Sequence, residues 1–398
     1  MAGALAVLRR SRVQTGEAST SREKVALFVP DLAGGGAQRV MITFANELAA
    51  CGLHVDLVVG CSSGPYRDEV STAVSLVELG SPRVSRCLLP LIAYLRRHRP
   101  TWLLSTMVHA NVGAIAANYL AGRPTKVWIR EATTLSRSFG KRPRWLVRTL
   151  TWTAARIYSK ADGIVAPSQG VAEDLKAHSR GALTRKLHVL MNPIPTDSIS
   201  QLARDPVPSA LEQIPQPWIV GCGRLDEAKS FDVLMHAVAR LAETAGRSPS
   251  LIILGEGELR DSLERLAERL GISGRTHLPG FVKNPFSVLG RAAVFVLSSN
   301  FEGCPNVLLQ AMACGTSVVA TDCRSGPREI LQRDEEGLLV PVGDVEGLCH
   351  AIVRQLDQPG DRATIRARAA AFAAPAITQR LLQLLRAAAS APVDRLAG

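Results

Sequence analysis

The feature that most constrains this chain is an alternation of short apolar segments with amphipathic ones, which occurs twice along its length. The stretch KVALFVPDLAGGGAQRVMITFANELAACGLHVDLVVG predicts a buried strand over 25–29, a glycine loop, a helix over 38–51 and a second strand over 55–59. The pattern continues through TWLLSTM, TKVWIRE, GIVAPS and KLHVLMN, and restarts with WIVGCGRLDEAKSFDVLMHAVARLAE. Because short strands that alternate with helices form parallel sheets covered on both faces, we predict an α/β fold with two parallel-sheet domains facing across a cleft.

The domain boundaries follow from chain length and from prolines. A chain of 398 residues exceeds what one hydrophobic core usually supports. Pro193 and Pro195 interrupt the first alternation, and ARDPVPSALEQIPQPW is typical of a linker. The expected units, in chain order, are a disordered tail over 1–22, a first domain over 23–198, a linker over 199–216, a second domain over 217–375, and a C-terminal helix within 376–398 that returns to the first domain.

Some classes of protein are disfavoured by what the sequence lacks. The segment 1–22 has its short apolar run ahead of its arginines, the reverse of a secretory signal, so an upstream start codon is the alternative to a tail. No window approaches about eighteen consecutive apolar residues, so we expect no membrane-spanning helix. The eight cysteines form no C-x-x-C pair, which favours a reducing cytoplasm. The loop at 34–36 lacks the third glycine of the dinucleotide fingerprint, which argues against a nicotinamide or flavin.

A strongly basic stretch contributes much of the formal net charge of +12. Residues 122–160 hold ten Lys and Arg residues against a single acid, Glu131, and Trp145 and Trp152 lie among them. Nucleic acid, an anionic membrane surface or a phosphorylated substrate would each suit such a stretch. A basic helix that is merely solvated is the simplest alternative.

The stretch NFEGCPNVLLQAMACG places a carboxylate in a loop and an amide inside the helix that follows. Asn306 predicts an N-cap, and Gly315 stands where a left-handed C-terminal cap is expected. Glu302 then lies ahead of the helix, where N–H groups near Val307 form an anion site, and Gln310 lies one turn in. A connection with a solvated glutamate is the alternative.

The C-terminal half resembles the retaining, nucleotide-sugar-dependent glycosyltransferases of family 4, which have two Rossmann-like domains in the GT-B architecture. The matching marks occur in order over about 120 residues: GRLDEAK, LGEGELR, LPGFVKNP, LSSNFEGCPNVLLQAMACGTSVVATDC and GPREIL. The N-terminal half matches more loosely, through GGGAQRV and MVHANVGA. The resemblance implies a first domain that binds the acceptor and a second domain that binds a nucleotide sugar.

The resemblance implies catalytic roles for four residues. Glu302 occupies the first position of the family's E-x7-E motif and would hold the donor sugar's hydroxyl groups. Arg224 and Lys229 resemble the pair that neutralises the donor diphosphate as the glycosidic bond breaks, although surface cations are the simpler alternative. His109 resembles a first-domain histidine that faces the reacting sugar, whereas a histidine after an apolar strand is more often structural.

The implied substrate-binding set departs from the family at one position. Gln310 stands where the family has a second glutamate that holds the ribose. An amide can still accept a hydrogen bond from one ribose hydroxyl and donate a hydrogen bond to another, but without the charge assistance of a carboxylate. We therefore expect weakened but retained ribose binding. The other implied residues belong to glycine loops, to a segment that reads the base and to the start of the helix after Glu302: Gly35, Gly36, Gly255, Glu256, Phe281, Val282, Gly303, Asn306 and Val307.

No cofactor and no metal is expected, because the chain has no D-x-D sequence and because Arg, Lys and a helix N-terminus would neutralise the diphosphate. The expected partners are a UDP- or GDP-linked sugar, a lipid-linked or other saccharide acceptor, and an anionic membrane surface, but no nucleic acid. The membrane would be contacted, peripherally and from the cytoplasmic side, by Arg142, Arg144, Trp145 and Arg148.

The expected reaction is transfer of a hexose or N-acetylhexosamine, with retention, to a hydroxyl acceptor in cell-surface polysaccharide assembly. A hydrolase would need a second carboxylate to pair with Glu302, and the sequence offers none in a comparable motif. Two alternatives stay open: a nucleotide-sugar 2-epimerase of the same architecture, and a non-catalytic, membrane-associated partner subunit, which Gln310 suggests.

Overall fold

The computed structural model describes residues 23–135 and 142–390, which form two separate parallel sheets. The strands are β1 (Lys24–Asp31), β2 (His54–Cys61), β3 (Ser75–Glu78), β4 (Trp102–Thr106), β5 (Lys126–Arg130), β6 (Gly163–Ala166), β7 (Leu187–Val189), β8 (Trp218–Cys222), β9 (Ser250–Leu254), β10 (Thr276–Gly280), β11 (Val294–Leu297), β12 (Ser317–Thr321) and β13 (Leu338–Val340). The first sheet has the order β3-β2-β1-β4-β5-β6-β7 and the second has the order β10-β9-β8-β11-β12-β13. The predicted α/β fold of two parallel-sheet domains is therefore confirmed.

Helices connect the strands and cover the sheets. They are α1 (Gly36–Ala50), α2 (Val84–His98), α3 (Val108–Leu120), α4 (Arg144–Tyr158), α5 (Gln169–His178), α6 (Thr196–Leu202), α7 (Ser209–Glu212), α8 (Phe231–Ala245), α9 (Arg260–Arg269), α10 (Pro285–Arg291), α11 (Asn306–Ala313), α12 (Pro327–Ile330), α13 (Val345–Asp357), α14 (Arg362–Ala370) and α15 (Ala374–Ser390). Short 3-10 helices cover Arg67–Glu69, Thr184–Lys186 and Ser273–Arg275. Among the helices of residues 23–135 and 142–390, none combines the length and the hydropathy that a membrane span requires.

The first strand shows why a continuous apolar run becomes a central strand. Val25, Leu27 and Val29 belong to the hydrophobic cluster on one face of the first sheet, while Ala26 and Phe28 belong to the cluster on the other face. Side chains alternate between faces along a strand, so a strand covered on both sides needs apolar residues at every position. The predicted strands and helix of this first unit are present, and the helix begins at the third glycine of the loop.

The last helix packs on the first domain. Ile377, Leu381 and Leu385 are buried in the same cluster as Val25, and α15 lies beside α1. At the end of that helix, the Nε of Arg386 donates to Glu23 at 3.0 Å. The residues that close the core of the first domain therefore come from both ends of the described chain.

The chain crosses between the domains at two adjoining points. The N–H of Ile194 donates to the carbonyl of Phe372 at 3.0 Å, and the N–H of Ala374 donates to the carbonyl of Ile194 at 2.8 Å. The region predicted as a linker, 199–216, includes most of α6 and all of α7. Its apolar residues are buried in the core of the second domain: Ile199, Val207, Leu211 and Ile214.

Candidate active site

The predicted site residues lie at the carboxyl ends of the strands in both sheets. In the first domain, the loop at 34–36 follows β1 and His109 follows β4. In the second domain, the turn at 224–229 follows β8, the loop at 255–257 follows β9 and Glu302 follows β11. Because the carboxyl ends of parallel strands share one edge of a sheet, each domain gathers its predicted residues on one edge.

The two edges face each other and are joined by direct contacts. The Oγ of Ser168 donates to the carbonyl of Gly303 at 2.7 Å, and the Nδ2 of Asn192 donates to the Oδ1 of Asn306 at 2.5 Å. A Cβ atom on Gly303 would lie 2.3 Å from the carbonyl oxygen of Ala132, so a side chain at this position would prevent the approach. The loop after β11 therefore rests on the first domain.

Lys229 and Glu302 form an ion pair at the carboxyl edge of the second sheet. The Nζ of Lys229 lies 2.6 Å from the Oε1 of Glu302, and their side chains are only 19% and 11% exposed. The Oγ of Ser299 donates to the same carboxylate oxygen at 2.7 Å. Burial works against the charge of Lys229, but the charge and hydrogen bond of Glu302 outweigh it and raise the pKa of Lys229 above its usual value. The site therefore holds one cation and one anion ready to contact a polar ligand.

The turn after β8 separates the two predicted cations. Gly223 has φ 155°, and a Cβ on it would lie 2.8 Å from the Cε of Lys229, so glycine leaves room for the lysine chain. Arg224 is 75% exposed, and its Nε contacts the Oδ2 of Asp226 at 2.5 Å. The structure thus brings Lys229 to Glu302 but holds the Arg224 guanidinium on the exposed side of the same turn.

The loop after β9 packs tightly on the turn after β8. Gly255 has φ 139°, and a Cβ on it would lie 2.0 Å from the carbonyl oxygen of Gly223. Its N–H donates to the carbonyl of Gly280, at the end of β10, at 2.9 Å. Glu256 is exposed and pairs with Arg260, whose Nε lies 3.1 Å from the Glu256 Oε2. The backbone of Gly255 is therefore fixed, while the Glu256 carboxylate is paired at the surface.

The segment after β10 is the one predicted to read the base. Phe281 is 63% exposed, and Val282 is half-buried against the core of the second domain. An exposed aromatic ring at this edge offers a flat apolar surface to a ligand.

The helix α11 begins at Asn306 and carries Gln310 one turn further on. Asn306 was predicted as the N-cap, and that prediction is wrong: the helix already begins at Asn306, so the cap position is Pro305. The side-chain oxygen of Asn306 accepts a hydrogen bond from Asn192 of the first domain instead of capping the helix. The predicted left-handed residue after the helix is confirmed, since Gly315 has φ 76°. Val307 and Gln310 are both half-buried in α11.

The first domain presents its predicted residues at two turns. Gly35 precedes α1 with φ 122°, and a Cβ on Gly36 would lie 3.2 Å from the Nδ2 of Asn306 across the cleft. His109 is exposed in the first turn of α3. Neighbouring protein atoms that displace solvent lower the pKa of His109, and the Asp31 carboxylate works in the opposite direction. His109 is therefore neutral at physiological pH and able to accept or donate a hydrogen bond.

A buried polar network behind this edge was not predicted. Arg130 ends β5 and Glu131 follows it directly, and the two residues are only 2% and 1% exposed. Asn111 donates to the Oε1 of Glu131 at 3.2 Å, and the hydroxyl of Tyr158 also donates to that oxygen. Burial raises the pKa of Glu131 to about 7. The signal available in the sequence was the charged pair that closes the apolar strand KVWIR.

The burial of Glu131 leaves the neighbouring surface basic. The only acid of the stretch 122–160 is inside the first domain, whereas Arg144 and Arg148 are exposed on α4 and Arg142 is exposed just before it. Trp145 is 70% exposed on the same helix. Residues 136–141 of this basic stretch lie outside the described residues.

Within 23–135 and 142–390 no group of His, Cys, Asp and Glu side chains is arranged to hold a metal ion. The predicted absence of a metal requirement stays a prediction.

Comparison with known families agrees with the architecture. Residues 34–198 match the family model described as Glycosyltransferase Family 4, and residues 216–358 match the model described as Glycosyl transferases group 1. The two matches cover both sheet domains. The chain belongs to the family 4 glycosyltransferases. It is a glycosyltransferase enzyme of the two-domain GT-B type.

Two curated relatives match this glycosyltransferase over most of its length. The first is the N-acetylgalactosamine-N,N'-diacetylbacillosaminyl-diphospho-undecaprenol 4-alpha-N-acetylgalactosaminyltransferase of Campylobacter jejuni, with 30% identity over 84% of this chain and 90% of the relative. The second is a lipopolysaccharide core biosynthesis glycosyltransferase of Rhizobium meliloti, with 30% identity over 88% of this chain and 96% of the relative.

Solved structures share the fold of this glycosyltransferase. The Anabaena protein HepE in complex with UDP-glucose superimposes with a TM-score of 0.76, at 18% identity over 92% of this chain and 99% of that one. The lipopolysaccharide outer core galactosyltransferase WaaB superimposes with a TM-score of 0.67, at 19% identity over 92% and 99%.

Proposed function

We propose that this glycosyltransferase moves a hexose or N-acetylhexosamine, with retention, from a nucleoside-diphosphate sugar to a lipid-linked saccharide during cell-surface polysaccharide assembly. The observation that carries the proposal is the Lys229–Glu302 pair, held at 2.6 Å on the carboxyl edge of the second sheet. The chain's membership of family 4 and the lipid-linked acceptor in the name of its Campylobacter relative support the substrate classes.

The charges of the site suit a diphosphate leaving group. Lys229 stays protonated because its pKa is raised. The helix α11 begins four residues after Glu302, and its N-terminus would add the positive end of a helix dipole to the site. Arg224, on the exposed side of the same turn, would reach a bound diphosphate by exchanging its contact with Asp226. These three sources of positive charge would stabilise the departing diphosphate without a metal ion.

The surroundings of Glu302 favour a role in holding the sugar. Its Oε1 already accepts hydrogen bonds from Lys229 and Ser299, so this carboxylate is poorly placed to act as a nucleophile and well placed to hold hydroxyl groups with its second oxygen. We propose front-face attack: the bond between the anomeric carbon and the diphosphate breaks, the acceptor oxygen bonds to the same face, and its proton passes to a diphosphate oxygen. His109 would face the reacting sugar from the first domain.

The nucleotide would lie along the carboxyl edge of the second sheet, beyond the Lys229–Glu302 pair. Gln310 would bond the ribose hydroxyls through its amide, and the backbone near Phe281 and Val282 would contact the base of a UDP- or GDP-linked donor. The close packing of Gly255 on its neighbouring turn would let the chain approach the ligand without an intervening side chain.

The test uses donor and acceptor together. A thermal-shift screen of UDP- and GDP-linked sugars identifies the donor, since a ligand of the folded state raises the unfolding midpoint. The selected donor is then incubated with a polyprenyl diphosphate-linked saccharide, and NMR reports the anomeric configuration of the product. An alpha-linked product from an alpha-linked donor supports the proposal. An inverted product contradicts retention, a 2-epimer formed from donor alone indicates an epimerase, and no turnover with any donor indicates a non-catalytic subunit.

We further propose that α4 holds the first domain peripherally on the inner face of the cell membrane. Trp145 and the exposed arginines beside it form a basic, aromatic surface, and Glu131, the one acid in the described part of the stretch, is buried. Each Arg near an anionic surface contributes about 1 kcal/mol, so reversing Arg142, Arg144 and Arg148 to Glu should weaken vesicle binding by a few kcal/mol.

The matched control reverses three exposed arginines of the second domain: Arg265, Arg269 and Arg291. Co-sedimentation with anionic vesicles at low and high salt compares both variants with the wild type. Equal binding of the two triple variants, or no binding of the wild type at low salt, would contradict the membrane proposal and favour a soluble acceptor.

A further inference from the structure

Arg130 is a charged side chain enclosed in the first domain. It is 2% exposed at the end of β5, and its Nη1 donates to the Oγ1 of Thr106 at 3.2 Å. Its Nη2 donates to the Oδ1 of Asn192. Its Nε has no hydrogen-bond partner among the described residues. A buried guanidinium with so few acceptors depends strongly on each of them, so the positions of Arg130, Thr106 and Asn192 are tied together.

Asn192 connects Arg130 to the second domain through hydrogen bonds. It is 3% exposed, its Oδ1 accepts from Arg130, and its Nδ2 donates to the Oδ1 of Asn306 at 2.5 Å. The two halves of one amide therefore bond to different domains. Asn306 is the first residue of α11 and lies four residues after Glu302, so the bond fixes the start of the helix that carries Gln310.

The other end of the chain of bonds reaches the site in the first domain. Thr106 is the last residue of β4 and is fully buried. It precedes Met107, which has φ 73°, a backbone conformation that side-chain-bearing residues rarely adopt. This strained residue turns the chain into α3, where His109 lies. A rigid partner for Thr106 helps to hold that turn.

We propose that Arg130 and Asn192 are positioning residues, which set the donor-binding helix α11 of the second domain in register with the His109 turn of the first. Neither side chain is placed to touch substrate; they act through Thr106 and Asn306. Only the expected effect on turnover rests on the proposed function. The hydrogen bonds from Arg130 through Asn192 to Asn306 exist in the protein without ligands.

The test compares two buried asparagines of the first domain. Asn192→Ala breaks the link, whereas Asn118→Ala removes a bond of similar kind far from the cleft, where the Nδ2 of Asn118 donates to the carbonyl of Thr125 at 2.8 Å. Asn192→Asp is the conservative variant: it keeps an acceptor for Arg130, and the Asn306 amide can rotate to donate to it. Hydrogen–deuterium exchange of the peptide 300–310 and steady-state kinetics are measured on all three full-length variants and the wild type.

We expect at least about fivefold faster exchange in 300–310 for Asn192→Ala, with kcat lowered about 10- to 100-fold and the donor KM changed far less. Asn192→Asp should return the exchange rate of 300–310 and kcat most of the way to their wild-type values. Asn118→Ala should leave the exchange rate and kcat unchanged. Unchanged exchange in Asn192→Ala, or faster exchange with unchanged kcat, would overturn the inference. If the wild type turned over no nucleotide sugar, the proposed function would fail, while the exchange data would still decide whether the link exists.

Discussion

The buried Lys229–Glu302 pair allows stability and catalysis to be separated. Lys229→Met and Glu302→Gln each remove one charge and leave the other without its partner. Breaking a buried pair costs about 3–5 kcal/mol in general, but the 19% and 11% exposure of these side chains and the bond from Ser299 reduce the loss to about 1–3 kcal/mol. For a domain of this size each kcal/mol lowers the unfolding midpoint by about 2–4 °C.

The double variant should behave differently in the two assays. With both charges removed, no uncompensated charge remains in the site, so most of the lost stability should return. Turnover should not return, because a neutral thioether cannot stabilise a departing diphosphate; we expect kcat to be lowered about 100- to 1,000-fold in each single variant and in the double variant.

The assay combines thermal unfolding with donor turnover, and its control is another buried carboxylate in the second domain. Glu336 is 3% exposed by side chain, pairs with Arg333 at 3.0 Å and lies ahead of β13, at the edge of the sheet opposite the site. Glu336→Gln should lose stability and keep kcat. Turnover within about tenfold of the wild type in either folded single variant, or its recovery in the double variant, would refute the assignment.

Three further predictions concern single residues. Gln310→Glu should preserve or tighten donor binding in calorimetric titration, because a carboxylate accepts ribose hydroxyls with charge assistance, and complete loss of binding would show another role. Burial raises the pKa of Glu131 from 4.5 to about 7, so the wild type's stability relative to Glu131→Gln should be fullest below about pH 4.5 and should fall as pH rises through 7; equal urea midpoint differences at about pH 5 and about pH 8 would contradict this. Gly255→Ala should destabilise by at least about 2 kcal/mol, since its Cβ would lie 2.0 Å from the carbonyl oxygen of Gly223, and a wild-type unfolding midpoint would show that the loop can relax.

The fold was predictable from the sequence because its signals are local. A strand covered on both faces must be apolar at every position, and β1 shows this directly, so its existence could be inferred without knowing its neighbours. Gly315 was likewise predictable, because a left-handed residue often ends a helix and glycine adopts that conformation without strain.

The parts of the site that were missed depend on contacts between distant residues. Asn306 has the properties of an N-cap, but its side chain bonds Asn192, which is 114 residues away in sequence. Glu131 was counted with a surface stretch, although Tyr158 and Asn111 hold it inside the domain. Composition and spacing carry no information on such pairings. An asparagine before a helix fits the rules for an N-cap, and a glutamate in a basic stretch fits the rules for a surface residue, whether or not a distant side chain binds it.

The return of α15 to the first domain has a consequence for how the protein is made. A ribosome releases the chain from the N-terminus onwards, and domains generally fold as units during synthesis. The second domain is contiguous and can complete its core before the last helix emerges. The first domain, although synthesised earlier, lacks Ile377, Leu381 and Leu385 until α15 has emerged from the ribosome. Its apolar surface beside α1 is therefore uncovered while the whole second domain is synthesised, and of the two domains the one translated first completes its core later.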